Sequence, residues 1–160
     1  MSKPTGYTLI QIVLHWLIAL LILLQYLFHE QMEAAYEAVQ KGGDGSGGNI
    51  HAMTGIAVLV LAIIRIAIKV RRGSPELPAD EPRWQQIAAH ATHGVLYLLM
   101  LLVPLTGMAG WGGSIKAAAE VHGFLTGLLL IAFAVHFVGA LYHRFVLKSG
   151  VMERMLKPQK

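Results

Sequence analysis

Cysteine is absent from the 160 residues. This excludes disulfides, iron–sulfur clusters, thiolate-ligated haem and haem attached covalently through thioethers. Charge is also scarce, with Asp, Glu, Lys and Arg making up 14% of the chain against 55% hydrophobic residues. An ordinary soluble domain carries about a quarter of its residues as charges, so that class is excluded. No Asp or Glu stands in the middle of a long apolar run, so the intramembrane carboxylate expected of an ion-coupled transporter is missing. The GGDGSGG stretch lacks the Lys-Ser/Thr of a phosphate-binding loop, and no strand precedes it. The chain shows no internal repeat.

What remains is long apolar segments. Residues 9–28, 50–70, 84–110 and 117–147 are each long enough to cross a bilayer as a helix, which takes about 20 residues. The expected fold is therefore all-α: one integral membrane four-helix bundle spanning residues 1–160. The first span is no signal peptide, because its apolar core is too long and no small-x-small cleavage site follows. Residues 29–49 read as a polar connection ending in a flexible glycine-rich loop, KGGDGSGGN, with Asn49 the expected N-cap of the second span. The loop from Lys69 to Arg83 is basic and holds Pro75, Pro78 and Pro82. Inside the third span Pro104 predicts a kink, which Thr106 and Gly107 could accommodate.

Charge orients the spans. Lys3, Lys69, Arg71, Arg72, Arg83, Arg144, Lys148, Arg154, Lys157 and Lys160 all fall at the N-terminus, in the second loop or at the C-terminus, while the other loops carry only Lys41 and Lys116. The positive-inside rule then places both termini in the cytoplasm. The net charge of +4 is a topology signal rather than a sign of nucleic-acid binding.

The fourth span carries His122, His136 and His143. His122 and His136 are fourteen residues apart, so they project within about 40° of each other and about 21 Å apart along a helix. Ionisable side chains in lipid are costly and normally face a bundle interior, where they function. Two imidazoles near opposite membrane faces suit axial ligation of two haem irons, which would form an electron wire across the bilayer. Depth sorts their partners. His51 begins the second span and pairs with His122 near the outer face. His15, about two turns into the first span, pairs with His136 toward the cytoplasm, although His90 and His93 lie at a similar depth and could replace it. Zinc is a weaker rival, because two imidazoles per site fall short of its usual three or four protein ligands. Arg65, near the inner end of the second span, either snorkels to the headgroups or pairs with an anion such as a haem propionate. Gly55, one turn beyond His51, could let a flat macrocycle approach the backbone.

The ordered set of His15-Trp16, His51 with Gly55, Arg65, His90-Ala-Thr-His93 with Tyr97, Pro104 to Gly107, His122, His136 and His143 resembles the bacterial di-haem cytochrome b561 family, related to the cytochrome b subunits of membrane hydrogenases. The resemblance covers all four spans. It implies two b-type haems ligated by helix four with partners on helices one and two. It also implies that His143 and His90 belong to a quinone region. Some members oxidise superoxide at the outer face and reduce ubiquinone near the inner one, and others pass electrons between quinone and a partner. A short third loop and an acidic, glycine-rich first loop depart from the family pattern.

The leading expectation is a di-haem b cytochrome of the bacterial inner membrane, moving electrons between a periplasmic-side donor and the quinone pool. A superoxide:ubiquinone oxidoreductase is the alternative. A small histidine-lined transporter or metal-handling protein is the rival from another class, and a structural haem anchor for a partner enzyme is a third reading. The outer loops bear on the donor. Glu30, Glu33, Glu37 and Asp44 stand against Lys41, and Glu120 offsets Lys116. Such a face predicts attraction of a basic electron-transfer protein and slow capture of anionic superoxide.

Overall fold

In the computed structural model, residues 4–75 and 81–159 are described; Lys3, Pro78 and Lys160 lie outside the described residues. The described residues are helical and hold no strand. The first crossing is α1, Leu9–Leu27. It starts with a reciprocal capping box that the sequence encodes as Thr8-x-x-Gln11: Gln11 N–H donates to the Thr8 hydroxyl oxygen at 3.4 Å, and Thr8 N–H donates to Gln11 Oε1 at 3.0 Å. The first connection differs from the expected loop. His29–Gln40 forms a helix, α2, and Ser46–Gly48 forms a 3-10 turn leading into the second crossing. The Ala-, Glu- and Gln-rich sequence of α2 favours helix, and Ala35 is buried.

The second crossing is α3, Asn49–Arg72. Asn49 is its first helical residue, not an N-cap, because the chain arrives already turned and Gly48 N–H is satisfied by the Gly45 carbonyl at 3.0 Å. Gly73 ends this helix at a φ of 78°, its N–H closing on the Lys69 carbonyl at 2.8 Å. Lys69, Arg71 and Arg72 fill the last turn, where cations complement the helix dipole. The third crossing, α4, runs from Arg83 to Trp111 and continues through Pro104. The Thr106 hydroxyl donates to the carbonyls of Leu102 at 2.8 Å and Val103 at 2.9 Å, feeding a ladder from which proline has removed a donor. The fourth crossing, α5, spans Lys116–Tyr142 and opens into a wider π turn over His143–Leu147.

α1 packs on α3, α3 on α4, and α4 along α5. Tyr26 of α1 reaches α5 by donating its hydroxyl to the Thr126 carbonyl. The buried core is a midplane plug to which every crossing contributes: Ile18 and Ile22, Val58 and Ala62, Leu99, Met100 and Val103, and Leu129. Leu129 lies seven residues from both His122 and His136, so the plug separates the two ends of the histidine stripe. Large apolar side chains such as Phe124, Ile131 and Val138 face outward, as lipid contact requires of a multi-pass protein.

At the outer end, Trp111 closes the fold. A Cβ on Gly45 would stand 2.9 Å from the Trp111 ring, and one on Gly48 would stand 3.0 Å from it. Tyr36 of α2 lies 6.4 Å from the same ring. The glycine-rich loop is thus clamped on tryptophan rather than free. Asp44 shapes it further by accepting from Ser46 N–H at 2.9 Å and from the Ser46 hydroxyl at 2.7 Å. At the opposite end the tail folds back on the N-terminus. Trp16 Nε1–H donates to the Met155 carbonyl at 2.9 Å, and Gln159 N–H donates to the Tyr7 carbonyl at 2.8 Å.

Candidate functional site

The four crossings bring five of the histidines into two groups at opposite ends of the bundle. At the outer end the rings of His51 (α3) and His122 (α5) have centroids 6.1 Å apart and planes at 79°. At the other end His15 (α1) and His136 (α5) are 6.0 Å apart at 78°. An iron held between two imidazoles needs ring centres roughly 6.2 Å apart, from two metal–nitrogen bonds of about 2 Å plus about 1.1 Å from each nitrogen to its ring centre. Both pairs fit that separation. His93 sits 5.1 Å from His136, too close for an iron on the line between them. It is exposed, and its Nδ1–H donates to the Ala89 carbonyl at 2.7 Å. His90 is likewise exposed, with Nδ1–H donating to the Gln86 carbonyl at 2.6 Å.

The outer pair has a supporting shell. His122 Nδ1–H donates to the Val103 carbonyl of α4 at 2.8 Å, which fixes the tautomer and leaves Nε2 as a lone-pair donor. That approach requires Gly107, because a Cβ there would meet His122 Cε1 and Nδ1 at 3.0 Å. On the His51 side, Gln25 Nε2–H donates to the His51 carbonyl at 3.0 Å, and Gln25 Oε1 accepts the Thr54 hydroxyl at 3.0 Å. Gly55 serves this network: a Cβ there would lie 3.3 Å from Gln25 Nε2, so the missing side chain admits an amide of α1. The sequence signal was present, since Gln25 interrupts an otherwise apolar run. His51 Nδ1 is buried and has no hydrogen-bond partner. His29, at the start of α2, is exposed and donates Nδ1–H to the Tyr26 carbonyl at 2.9 Å.

At the inner end Arg65 donates to the Gln11 carbonyl at 2.7 Å, one helical turn before His15. The guanidinium therefore lies within the bundle beside the His15 group instead of snorkelling outward. Lys69 stands over the Tyr97 ring, 4.5 Å from its centroid. His143, two turns beyond His136, lies 3.2 Å from Glu81 Oε1 and 3.0 Å from Ser149 Oγ. Sequence reasoning missed Glu81, which reads there as one charge in a basic loop.

Two close histidine pairs, each joining α5 to another crossing, are an arrangement suited to a membrane cytochrome of the b type. Residues 6–158 match the family model described as prokaryotic cytochrome b561, and the chain belongs to that family. It is 42% identical over 164 residues to cytochrome b562 of Cereibacter sphaeroides, covering 99% of this chain and all of that protein. It is 31% identical over 172 residues to a probable superoxide oxidase CybB of Yersinia pestis, covering 94% and 95% of the two chains. It is 28% identical over 176 residues to cytochrome b561 homolog 1 of Escherichia coli, covering 94% and 96%. The protein is a multi-pass bacterial membrane electron-transfer protein, and its family implies b-type haem.

Proposed function

We propose that the protein is a di-haem cytochrome b of the inner membrane, with both termini cytoplasmic, linking a periplasmic-side donor to the quinone pool. The observation that carries this reading is the pair of histidine separations, 6.1 Å and 6.0 Å, set at opposite ends of the bundle with α5 contributing to each. His51 and His122 would hold the outer haem, and His15 and His136 the inner one. When bound, the haems supply one-electron transfer without an open coordination position. The chain's own residues do the rest. The Val103 carbonyl and Gly107 set the His122 ring, Gln25 and Thr54 secure the start of α3, and Arg65 supplies a partly buried positive charge where an inner-haem propionate could be met. The aliphatic plug around Leu129 keeps water out between the two ends. His143 and His90, at headgroup depth, mark the quinone region.

The test is a haem count with reduced-minus-oxidised spectra on purified variants. His122→Ala should lose the outer haem alone and His136→Ala the inner haem alone. Should either retain two low-spin haems, the pairing is wrong. Replacing His15 should abolish the inner haem, and replacing His93 should leave it. The reverse result would transfer the ligand role to His93.

Superoxide oxidation is the second reading, favoured by the name of the Yersinia relative. The outer charges weigh against it. Lys41 is held by Glu37 at 3.3 Å, so this cation is partly neutralised rather than open to an incoming anion, while Glu30 and Glu33 remain exposed on α2. A basic protein donor fits this face better, and its reaction should slow as salt rises. A near-diffusion-limited reaction with superoxide in stopped-flow mixing would restore the second reading.

A further inference from the structure

Below the inner histidine group lies a carboxylate whose burial nothing above explains. Glu81 precedes α4, its side chain is 5% exposed, and both carboxylate oxygens are buried without a hydrogen-bond partner among the described residues. A buried carboxylate in that condition is unfavourable unless it holds a proton or faces a cation. His143 Nδ1 stands 3.2 Å from Oε1, within ion-pair range but off the line of a hydrogen bond, and the same nitrogen is 3.0 Å from Ser149 Oγ. The imidazole thus has two alternative partners, and a small ring rotation exchanges them. It sits where α5 widens into the π turn, a distortion frequent at functional sites, about 10 Å along the axis from His136.

We propose that Glu81 and His143 form a proton-loading pair for the quinone reaction. The proposal rests on the quinone-linked reading above and names the residues that supply its protons. Reducing a quinone to a quinol takes up two electrons and two protons, the electrons arriving one at a time through the transfer this family performs. For each proton, the His143 Nε2–H bond breaks as an O–H bond forms on the reduced quinone, while the Glu81 carboxyl proton moves to Nδ1. To reset the pair, Nε2 takes a proton from cytoplasmic water as the Nδ1 proton returns to the Glu81 carboxylate, so one proton enters from the cytoplasm for each one delivered.

The charged and titratable groups around the pair, among the described residues, are these. Arg144, next in the chain, is engaged by Glu153, and Lys148 is exposed. Arg154 lines a groove at the termini with Glu153 and Lys157. Tyr142 contributes a ring edge 6.3 Å from the His143 ring. From α4, Gln85 places a buried, unpartnered side-chain oxygen nearby in sequence. Arg83 faces an open pocket of about 610 Å³ that it lines with Gln86, Ile87, His90 and Ala91. Gln86 connects that pocket to the pair: its Nε2–H donates to the Glu81 carbonyl at 2.9 Å, and its own carbonyl accepts from His90.

The experiment uses haem-loaded full-length protein and a short-chain benzoquinol, read by stopped-flow haem reduction across pH. Glu81→Gln should slow reduction by quinol at least tenfold and flatten the pH profile, while dithionite-reduced spectra stay unchanged and Glu81→Asp recovers much of the rate. Infrared titration gives a second readout: a protonated carboxyl stretch, shifted in D₂O and missing from Glu81→Gln. If Glu81→Gln loses haem, His143→Gln carries the same kinetic test. A wild type active with quinol whose Glu81→Gln variant keeps its rate and pH profile overturns the proposal, as does absence of the carboxyl band. A wild type inert toward quinol overturns the underlying quinone reading instead.

Discussion

Replacing Gly107 by alanine tests whether the outer site depends on the packing of α4 against the His122 ring. The new Cβ would stand 3.0 Å from both His122 Cε1 and Nδ1. Ordinary carbon contacts lie at about 3.5–4.0 Å, so the neighbour must give way by a few tenths of an ångström. The helices cannot easily supply that movement, because one turn further on Gly110 already lets the backbone of Ala119 approach to 2.9 Å of a would-be Cβ. The ring moves instead, and its 2.8 Å bond to the Val103 carbonyl is lengthened and weakened. Losing that bond costs about 0.5–1.5 kcal/mol, and losing the partner that orients a metal-ligating histidine typically costs about 10–100-fold in affinity. We expect Gly107→Ala to lower occupancy of the outer haem by roughly that range, and Gly107→Val to empty it, with the inner haem as internal reference. Haem stoichiometry by pyridine haemochrome, with low-temperature reduced spectra to separate the sites, provides the assay. Two fully occupied, spectrally unchanged haems in Gly107→Val would refute the reasoning.

Two further predictions concern the outer cap. Gly45→Ala should unseat the first loop, since its Cβ would lie 2.4 Å from Val39 Cγ2 and 2.9 Å from the Trp111 ring. Trp111→Ala should produce the same phenotype, measured as faster proteolysis between Lys41 and Asp44 in membranes of known orientation. The hydroxyl and N–H of Ser46 hold the Asp44 carboxyl below its ordinary value of 3.8. A depressed acid stabilises the fold above its unfolded pKa, and that contribution fades as pH falls through the lower folded value. The loop should therefore loosen only in strongly acid medium, and Asp44→Asn should remove the pH dependence, as amide exchange at Ser46 would report.

The crossings and the histidine pairing were legible because both rest on simple periodicities: apolar length against bilayer thickness, and fourteen residues against the helical repeat. His15 could not be separated from His93 by depth alone. In the pairing proposed above His15 is favoured on ring separations of 6.0 Å and 5.1 Å from His136, which no depth argument supplies. The first connection was misread because glycine content signals flexibility, whereas here Gly45 and Gly48 are the flat ground on which Trp111 rests. Gly55 and Gly107 show the same ambiguity. A missing side chain is visible in the sequence, but the group that takes its place, Gln25 at one and His122 at the other, comes from a different helix. Glu81 was illegible for the converse reason, since a charge beside a basic loop looks solvated until its burial is known.

The role of α5 has a consequence for the order in which the protein is made. This helix supplies one member of each close histidine pair, and the segment after it provides the carbonyl that satisfies Trp16, a contact spanning 139 positions of chain. The first three crossings can enter the bilayer and pack on one another during synthesis, but neither pair can form until the last crossing has left the ribosome. Until then His15 and His51 stand in the membrane without the imidazoles they face in the finished fold. On the ligation proposed above, loading with haem is deferred to the finished chain, and a ribosome that stalls before α5 releases a fragment that cannot assemble either pair.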